Sequence, residues 1–249
     1  MIFRERFNTF ADRYVLIGGT ACDLIMQDAG LQFRATKDLD IVLCIETVDV
    51  DFANAFWAFI KEGGYRSQET AQGQRRFYRF QNPSDLAYPA MLELFSRLPD
   101  ALLNNDGSHL TPIVFNDDVS SLSAILLDTG YYAWIQQGKR LIDGLPVVDA
   151  AHLIPMKARA WLDLRARRDA GERIDSRVIK KHKNDVFRLF LVIDPDTNLN
   201  LPVRIIDDMR FFLDQVIEED VDLKALGLKT ISLDTVIAGL RTLYMTKNG

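Results

Sequence analysis

Two aspartates stand two residues apart in KDLDIVLCI (Lys37 to Ile45), a segment whose Leu, Ile and Val content predicts a β-strand. Side chains at this spacing point to one face of a strand, so Asp38 and Asp40 face the same way. Like charges side by side are unfavourable without a cation, and hard carboxylate oxygens suit Mg²⁺, which binds one or two carboxylates together with substrate phosphates. The alternative is a strand that ends in solvent with two charged residues.

A third carboxylate comes from AMLELFS (residues 90–96), where Glu93 is the one charged residue in an apolar run. An ionised acid on a buried strand needs a partner or a metal ion. Together Asp38, Asp40 and Glu93 could hold one or two metal ions and assist a hydroxyl nucleophile in phosphoryl or nucleotidyl transfer. We therefore expect the three carboxylates to converge within a few ångströms.

A glycine pair stands where YVLIGGTACDL (Tyr14 to Leu24) passes from a predicted strand into a predicted helix. Gly18 and Gly19 permit close backbone approach, and the free N–H groups at the start of a helix favour an anion such as phosphate. The same pair could serve only as a tight corner, because the chain lacks the GxxxxGK[ST] and GxGxxG phosphate-binding patterns. We expect the three carboxylates to lie beside this turn.

The elements that position these residues mix strands and helices up to about residue 145. Helices are predicted over 2–12, 20–30 and 51–62, and strands over 14–17, 37–45, 74–80, 90–96, 111–115, 122–127 and 131–136. Asp128-Thr129-Gly130 is interpreted as the turn between the last two strands. Further helices are predicted over 149–170, 175–192, 202–217 and 232–246. The sequence thus predicts a mixed α/β domain at 1–145 and a helical domain at 146–249.

Composition excludes several classes of protein. The chain has 249 residues, 48% of them hydrophobic, and a net charge of −5, so it can bury a sizeable core and has no overall positive charge to recruit nucleic acid. No apolar run reaches the roughly 20 residues of a membrane span, and the first residues lack the apolar segment of a secretory signal, so we expect a cytoplasmic location and no membrane partner. Cys22 and Cys44 are expected to be buried thiols.

Charge is unevenly distributed along the predicted helical domain. Residues 157–183 contain ten Lys or Arg against four acids, and residues 207–222 contain seven acids against Arg210. Two solvated helix faces would explain the pattern. The basic stretch is also compatible with an RNA ligand, because phosphate contacts need only local positive charge.

The segments GGTACDL, RATKDLDIVL and AMLELF together resemble the DNA polymerase β-like nucleotidyltransferase superfamily. Its signature is a glycine pair with Ser or Thr nearby, then Asp-hydrophobic-Asp on a strand, then a third acid on another strand. Gly-Gly-Thr-Ala followed by Arg-x-Thr-x-Asp-hydrophobic-Asp is most similar to the AbiEii/AbiGii-type toxin nucleotidyltransferases, as is LIPMKARAWLDLRAR through Pro155, Lys157 and Ala158. The resemblance implies an α+β fold: a nucleotidyltransferase-type mixed sheet with flanking helices, then a C-terminal helical domain.

The resemblance also implies roles for the matching residues. Asp38, Asp40 and Glu93 would be the catalytic acids that hold Mg²⁺, although Glu stands where Asp is commoner at the third position. The nucleotide would be bound by Gly18, Gly19, Thr20, Lys157 and Arg34. Arg34, with Lys37, could equally neutralise the two aspartates.

By this resemblance the chain transfers a nucleoside monophosphate from an NTP to an acceptor hydroxyl. The implied acceptor is RNA, in particular tRNA, or a protein side chain, and the implied context is a toxin with a cognate antitoxin protein. Two alternatives stay open: an aminoglycoside-like small-molecule nucleotidyltransferase, and a non-catalytic module on the same fold that senses nucleotide or binds a partner.

Overall fold

The computed structural model describes residues 2–34, 36, 38–44, 46–67, 77–95 and 128–245. Lys37 and the strands predicted over 111–115 and 122–127 lie outside the described residues. The described residues form two compact units, one drawn from Met1–Phe115 and Gly138–Asp149, the other from Asn116–Gln137 and Ala150–Gly249. The predicted domain ranges 1–145 and 146–249 stay a prediction.

The first unit is a mixed sheet with flanking helices, which confirms the predicted fold class. Its described strands are β1 (Tyr14–Ile17), β2 (Asp38–Leu43), β3 (Arg66–Ser67), β4 (Phe77–Gln81), β5 (Met91–Phe95), β6 (Lys139–Ile142) and β7 (Leu145–Val148). They form one seven-stranded sheet in the order β3-β4-β5-β2-β1-β7-β6. The pairs β2–β5 and β1–β7 are parallel and the others antiparallel.

The helices of the first unit are α1 (Ile2–Phe7), α2 (Gly18–Asp28) and α3 (Val50–Glu62), with a short 3₁₀ turn at Asn8–Phe10. Those described in the second unit are α4 (Thr129–Gln137), α5 (Ala150–Asp169), α6 (Ser176–Phe190), α7 (Val203–Val216) and α8 (Leu233–Met245). Among the described helices, none combines the length and the apolar character needed to cross a membrane. Cys22 and Cys44 are buried thiols, as predicted.

The strand predicted over 131–136 is wrong, because this segment lies in α4. The side chain of Asp128 accepts hydrogen bonds from the backbone N–H groups of Gly130 and Tyr131, at 2.8 and 3.2 Å, so the supposed turn signal starts a helix. Tyr131, Trp134 and Ile135 are buried at the spacing of one helix face.

The hairpin β6–β7 was not predicted from the sequence, which placed a domain boundary there. Asp143 and Gly144 join its strands with φ of 49° and 77°, and Ile142 pairs with Leu145. Two successive residues with positive φ form the tight turn that suits the twist of a hairpin, and Asp-Gly is a strong signal for it. The hairpin belongs to the first unit because β7 pairs with β1.

The two faces of the sheet differ in chemistry because side chains alternate along each strand. One face carries Tyr14, Leu39 and Ile41, and aromatic side chains of α1 and α3 pack on it: the ring centroids of Phe3 and Tyr14 are 5.6 Å apart, and those of Tyr14 and Phe52 6.1 Å. The opposite face carries Asp38, Asp40 and Glu93. We call these the aromatic face and the acidic face.

Ion pairs link the helices of the second unit. Arg159 of α5 lies 3.0 Å from Asp208 of α7, which also accepts a hydrogen bond of 2.8 Å from the Tyr131 hydroxyl. Lys183 of α6 lies 2.8 Å from Glu219, and its hydrogen bond is the main cause that lowers the pKa of that carboxyl. The basic and acidic stretches of the sequence therefore pair with each other.

The most buried of these pairs joins α5 to α6. The Nζ atom of Lys157 lies 3.1 Å from Oδ2 of Asp185, and the two side chains are 5% and 0% exposed. Arg188 lies 3.7 Å from the other carboxylate oxygen. Because both charges are out of water, removing one partner lowers the stability of the fold more than removing both partners does.

We predict that Lys157→Met lowers the free energy of unfolding of the second unit by about 3–5 kcal/mol, because it removes a cation beside a fully buried carboxylate. The double variant Lys157→Met/Asp185→Leu should recover most of that loss. Urea unfolding followed by circular dichroism measures both. Arg177→Met is the control, because its pair with Asp175 is on the surface, with Arg177 89% exposed, and should change stability little. A loss in Lys157→Met no larger than in the control would contradict a structural role for the buried pair.

Candidate active site

The glycine turn starts α2 directly at the end of β1. Gly18 has φ of +67°, a left-handed conformation that favours glycine, and the preceding residue, Ile17, has no side-chain acceptor to cap the helix. A Cβ atom built on Gly18 would lie 1.6 Å from Oδ2 of Asp40. The carboxylate of Asp40 therefore occupies the space that any larger residue at position 18 would need.

The next two residues of the turn contact the segment that leads into β2. A Cβ atom on Gly19 would lie 2.9 Å from Oγ1 of Thr36 and 3.3 Å from Nη2 of Arg34. The hydroxyl of Thr20 donates a hydrogen bond to the backbone oxygen of Asp38. The structure thus brings Gly18, Gly19, Thr20 and Arg34 together beside the aspartate strand.

The acidic residues meet across neighbouring strands. Asp40 of β2 is directly opposite Glu93 of the parallel strand β5, so the two side chains are neighbours on the same face of the sheet. Asp38 lies two residues earlier on the same face, opposite Met91. Like charges this close repel each other, so this point of the sheet favours a proton on Glu93 or a bound cation.

Burial is the main cause that raises the pKa of Glu93, to about 8, and the charge of Asp40 acts in the same direction. Arg79 opposes the shift, because it places a guanidinium against the same carboxyl group. A buried acid whose pKa is raised in this way is a group that a divalent cation can deprotonate.

Arg79 is the member of this site that sequence reasoning missed. It lies on β4 directly opposite Glu93, and its Nε atom donates a hydrogen bond of 2.7 Å to Oε1 of that residue. Its side chain is 16% exposed. The signal was available, because Arg79 lies between aromatic residues in QRRFYRF, a predicted strand, as Glu93 does between apolar ones in AMLELFS. Opposite charges on two neighbouring strands indicate cross-strand partners, but QRRFYRF also contains Arg75 and Arg76, so the sequence does not single out Arg79.

The structure brings together some, but not all, of the predicted metal ligands. Across the residues with described positions, no group of three or more His, Cys, Asp or Glu side chains could hold a metal ion. The structure brings Asp40 and Glu93 together and leaves Asp38 as their neighbour on the acidic face. Lys157 belongs to the second unit, where it pairs with Asp185. The three-ligand metal site and the phosphate role of Lys157 stay predictions.

Among known proteins, the chain is similar to a solved structure but to no family model and no curated sequence. No protein-family model matches the chain, and no curated protein sequence matches it significantly. The chain is similar to a crystal structure of an antigenic nucleotidyltransferase-like protein from Paracoccidioides brasiliensis, with 15% identity, 94% of this chain and 93% of that chain covered, and a TM-score of 0.42. At this identity and TM-score the likeness does not identify an activity.

We predict that Gly18→Ala destabilises the first unit more than Gly30→Ala does. Both glycines have positive φ, +67° and +71°, so both variants pay a similar backbone cost of about 1–2 kcal/mol. A Cβ atom on Gly18 would clash with Asp40, whereas nothing lies within 4 Å of a Cβ atom on Gly30. We expect this clash to lower the free energy of unfolding of Gly18→Ala by roughly a further 1–3 kcal/mol. Urea unfolding of the two variants measures the difference. Equal losses would contradict the close packing of Asp40 on Gly18.

We also predict that Glu93→Gln makes stability less dependent on pH. The pKa of Glu93 is raised from 4.5 to about 8 in the fold, so the folded state keeps a proton that the unfolded state releases. This contribution to stability is fully present below about pH 4.5 and is lost as the pH rises through about 8. Between pH 5 and 8 the variant should therefore lose less stability than the parent, by on the order of 3–4 kcal/mol.

Urea midpoints at several pH values, without divalent cations, measure this second effect. Glu5→Gln is the matched control, because Glu5 is an exposed acid on α1 of the same unit. A Glu93→Gln profile parallel to that of the parent and of Glu5→Gln would show that Glu93 releases its proton in the fold as easily as in the unfolded chain.

Proposed function

We propose that this chain is a metal-dependent nucleotidyltransferase that transfers a nucleoside monophosphate from an NTP to an acceptor hydroxyl. The observation that carries the proposal is the position of Asp40, which packs on Gly18 at the start of α2 and lies directly opposite Glu93 on the neighbouring strand. Carboxylates that bind a cation thus lie beside backbone N–H groups that favour phosphate.

The carboxylate oxygens on this sheet face are the kind of hard ligand that Mg²⁺ prefers, and a bound cation would favour loss of the proton that the raised pKa of Glu93 retains. In this proposal Asp38, Asp40 and Glu93 hold the ion. Bound Mg²⁺ would neutralise phosphate charge and lower the pKa of the attacking hydroxyl. Arg79 keeps Glu93 in place by its hydrogen bond and offsets part of the negative charge.

The nucleotide phosphates would be bound by Gly18, Gly19, Thr20 and Arg34 beside the acids. The hydroxyl oxygen of the acceptor attacks the α-phosphorus, the bond from that phosphorus to the β-phosphate oxygen breaks, and pyrophosphate leaves. A carboxylate oxygen of the acidic face accepts the hydroxyl proton. Lys157 is proposed as a further phosphate ligand on the sequence resemblance alone.

We propose RNA, in particular tRNA, as the acceptor and a toxin with a cognate antitoxin as the context, both on the sequence resemblance. The basic stretch no longer supports this acceptor. Seven of its ten Lys and Arg residues form ion pairs with carboxylates of this chain. An acceptor strand would therefore have to find its phosphate contacts elsewhere.

The test is incubation of the protein with Mg²⁺, total bacterial RNA and each NTP, labelled in turn on the α- and the γ-phosphate. We expect label on RNA from the α-labelled NTP only, because nucleotidyl transfer releases the γ-phosphate in pyrophosphate, and we expect EDTA to abolish it. Asp40→Asn should reduce transfer by about a thousandfold or more, whereas Glu5→Gln should leave it unchanged.

Other outcomes decide between the alternatives. Label from the γ-phosphate would show phosphoryl transfer, and label on an added aminoglycoside instead of RNA would support a small-molecule acceptor. Mg²⁺-dependent NTP binding without transfer to RNA, protein or small molecules would support the alternative of a non-catalytic nucleotide sensor. Growth arrest of a bacterial host on expression, absent with Asp40→Asn, would support the toxin context.

A further inference from the structure

A cavity of about 800 Å³ opens on the aromatic face of the sheet, within the first unit. One wall is a face of α2, and the opposite wall is the loop Asn82–Ala90. Leu39 of β2 and Leu145 of β7 contribute apolar surface between the walls. Because Leu39 stands between Asp38 and Asp40 on a strand, its side chain points away from theirs. The cavity and the acids therefore lie on opposite faces of the sheet.

The loop wall is mostly apolar. It contributes Pro83, Leu86, Ala87, Tyr88 and Pro89, and the side chain of Leu86 is exposed, at 95%. A volume of this size, lined by apolar and aromatic groups with a few polar ones, suits a small organic molecule. An apolar body of such a ligand would pack against this wall.

The α2 wall carries hydrogen-bond acceptors in a stripe. Thr20, Asp23 and Gln27 line the cavity at spacings of three and four residues, so they share one face of the helix. The hydroxyl of Thr20 donates its proton to the backbone oxygen of Asp38, so its oxygen keeps lone pairs that can accept a hydrogen bond. The stripe thus offers a hydroxyl oxygen, a carboxylate and an amide oxygen in succession.

Among the described residues that line the cavity, Asp23 carries a charge that no other residue neutralises. Arg4 and Asp143 lie 3.6 Å apart in an ion pair with each other. The half-buried side chain of Asp23 forms no hydrogen bond and no ion pair with any residue that the structure describes. A partly desolvated carboxylate gains most from a cationic partner that also donates hydrogen bonds.

We propose that this cavity binds a small organic amine, with its ammonium group on the Thr20–Asp23–Gln27 stripe and its apolar body against the Asn82–Ala90 loop. Asp23 and Gln27 have no part in the proposed nucleotide site, whereas Thr20 belongs to both, and the proposal does not rest on the proposed function. No covalent step is involved, so binding alone tests it.

The experiment compares 4-phenylbutylamine with 4-phenylbutanol, which keeps the apolar body and replaces the ammonium by a hydroxyl. Titration calorimetry and saturation-transfer NMR measure binding to the full chain. We expect the amine to bind about tenfold more tightly than the alcohol, and we expect Asp23→Asn to reduce that ratio to about one. Ala87→Trp, which adds bulk to the loop wall, should weaken both probes at least tenfold. Glu5→Gln, an exposed acid outside the cavity, should leave both affinities unchanged.

The proposal is overturned if neither probe binds the parent protein, or if the amine keeps its advantage in Asp23→Asn. It is also overturned if Asp40→Asn abolishes amine binding while Asp23→Asn does not, because the amine would then lie on the acidic face. Nucleotidyl transfer is measured separately in the same variants, so a failure of this proposal is distinguishable from a failure of the proposed function.

Discussion

The arrangement of the first unit depends on the close packing of the Asp40 carboxylate on the Gly18 backbone. A side chain at position 18 would collide with that carboxylate, because its Cβ would lie 1.6 Å from Oδ2. Ile17 and Asp40 are register partners, so the antiparallel pair β1–β2 delivers both groups to one point. The same contact fixes where α2 begins and which sheet face carries the acids. Glu93 and Arg79 continue the row across β5 and β4.

Much of this arrangement could be predicted from local sequence. The Asp-x-Asp spacing gave the shared face of Asp38 and Asp40, and the glycine pair gave the junction of β1 and α2. The lone acid in an apolar run gave the strand position of Glu93. These predictions succeeded because the period of two along a strand and the backbone needs of glycine are local properties.

The predictions failed where the deciding partner is distant in sequence or where one motif has two meanings. Arg79 was overlooked because its role depends on a register with β5 that no single segment reveals. Asp128-Thr129-Gly130 was interpreted as a turn, although an Asp before such a run caps helices equally well. Asp143-Gly144 was interpreted as part of a boundary, because the return of the chain to β1 is set by tertiary pairing. The charged stretches, whose opposite signs suggested surfaces, instead pair within the second unit.

The parallel pairing of β1 with β7 has a consequence for how the protein is made. Leu16 is in register with Val147, more than a hundred residues later in the chain. During synthesis from the N-terminus, the strand that carries the glycine turn is therefore finished long before its neighbour leaves the ribosome. Until Leu145–Val148 emerges, one edge of β1 has unpaired backbone groups, and exposed edges of this kind promote association between chains. Translation through the hairpin is thus the step that closes this edge.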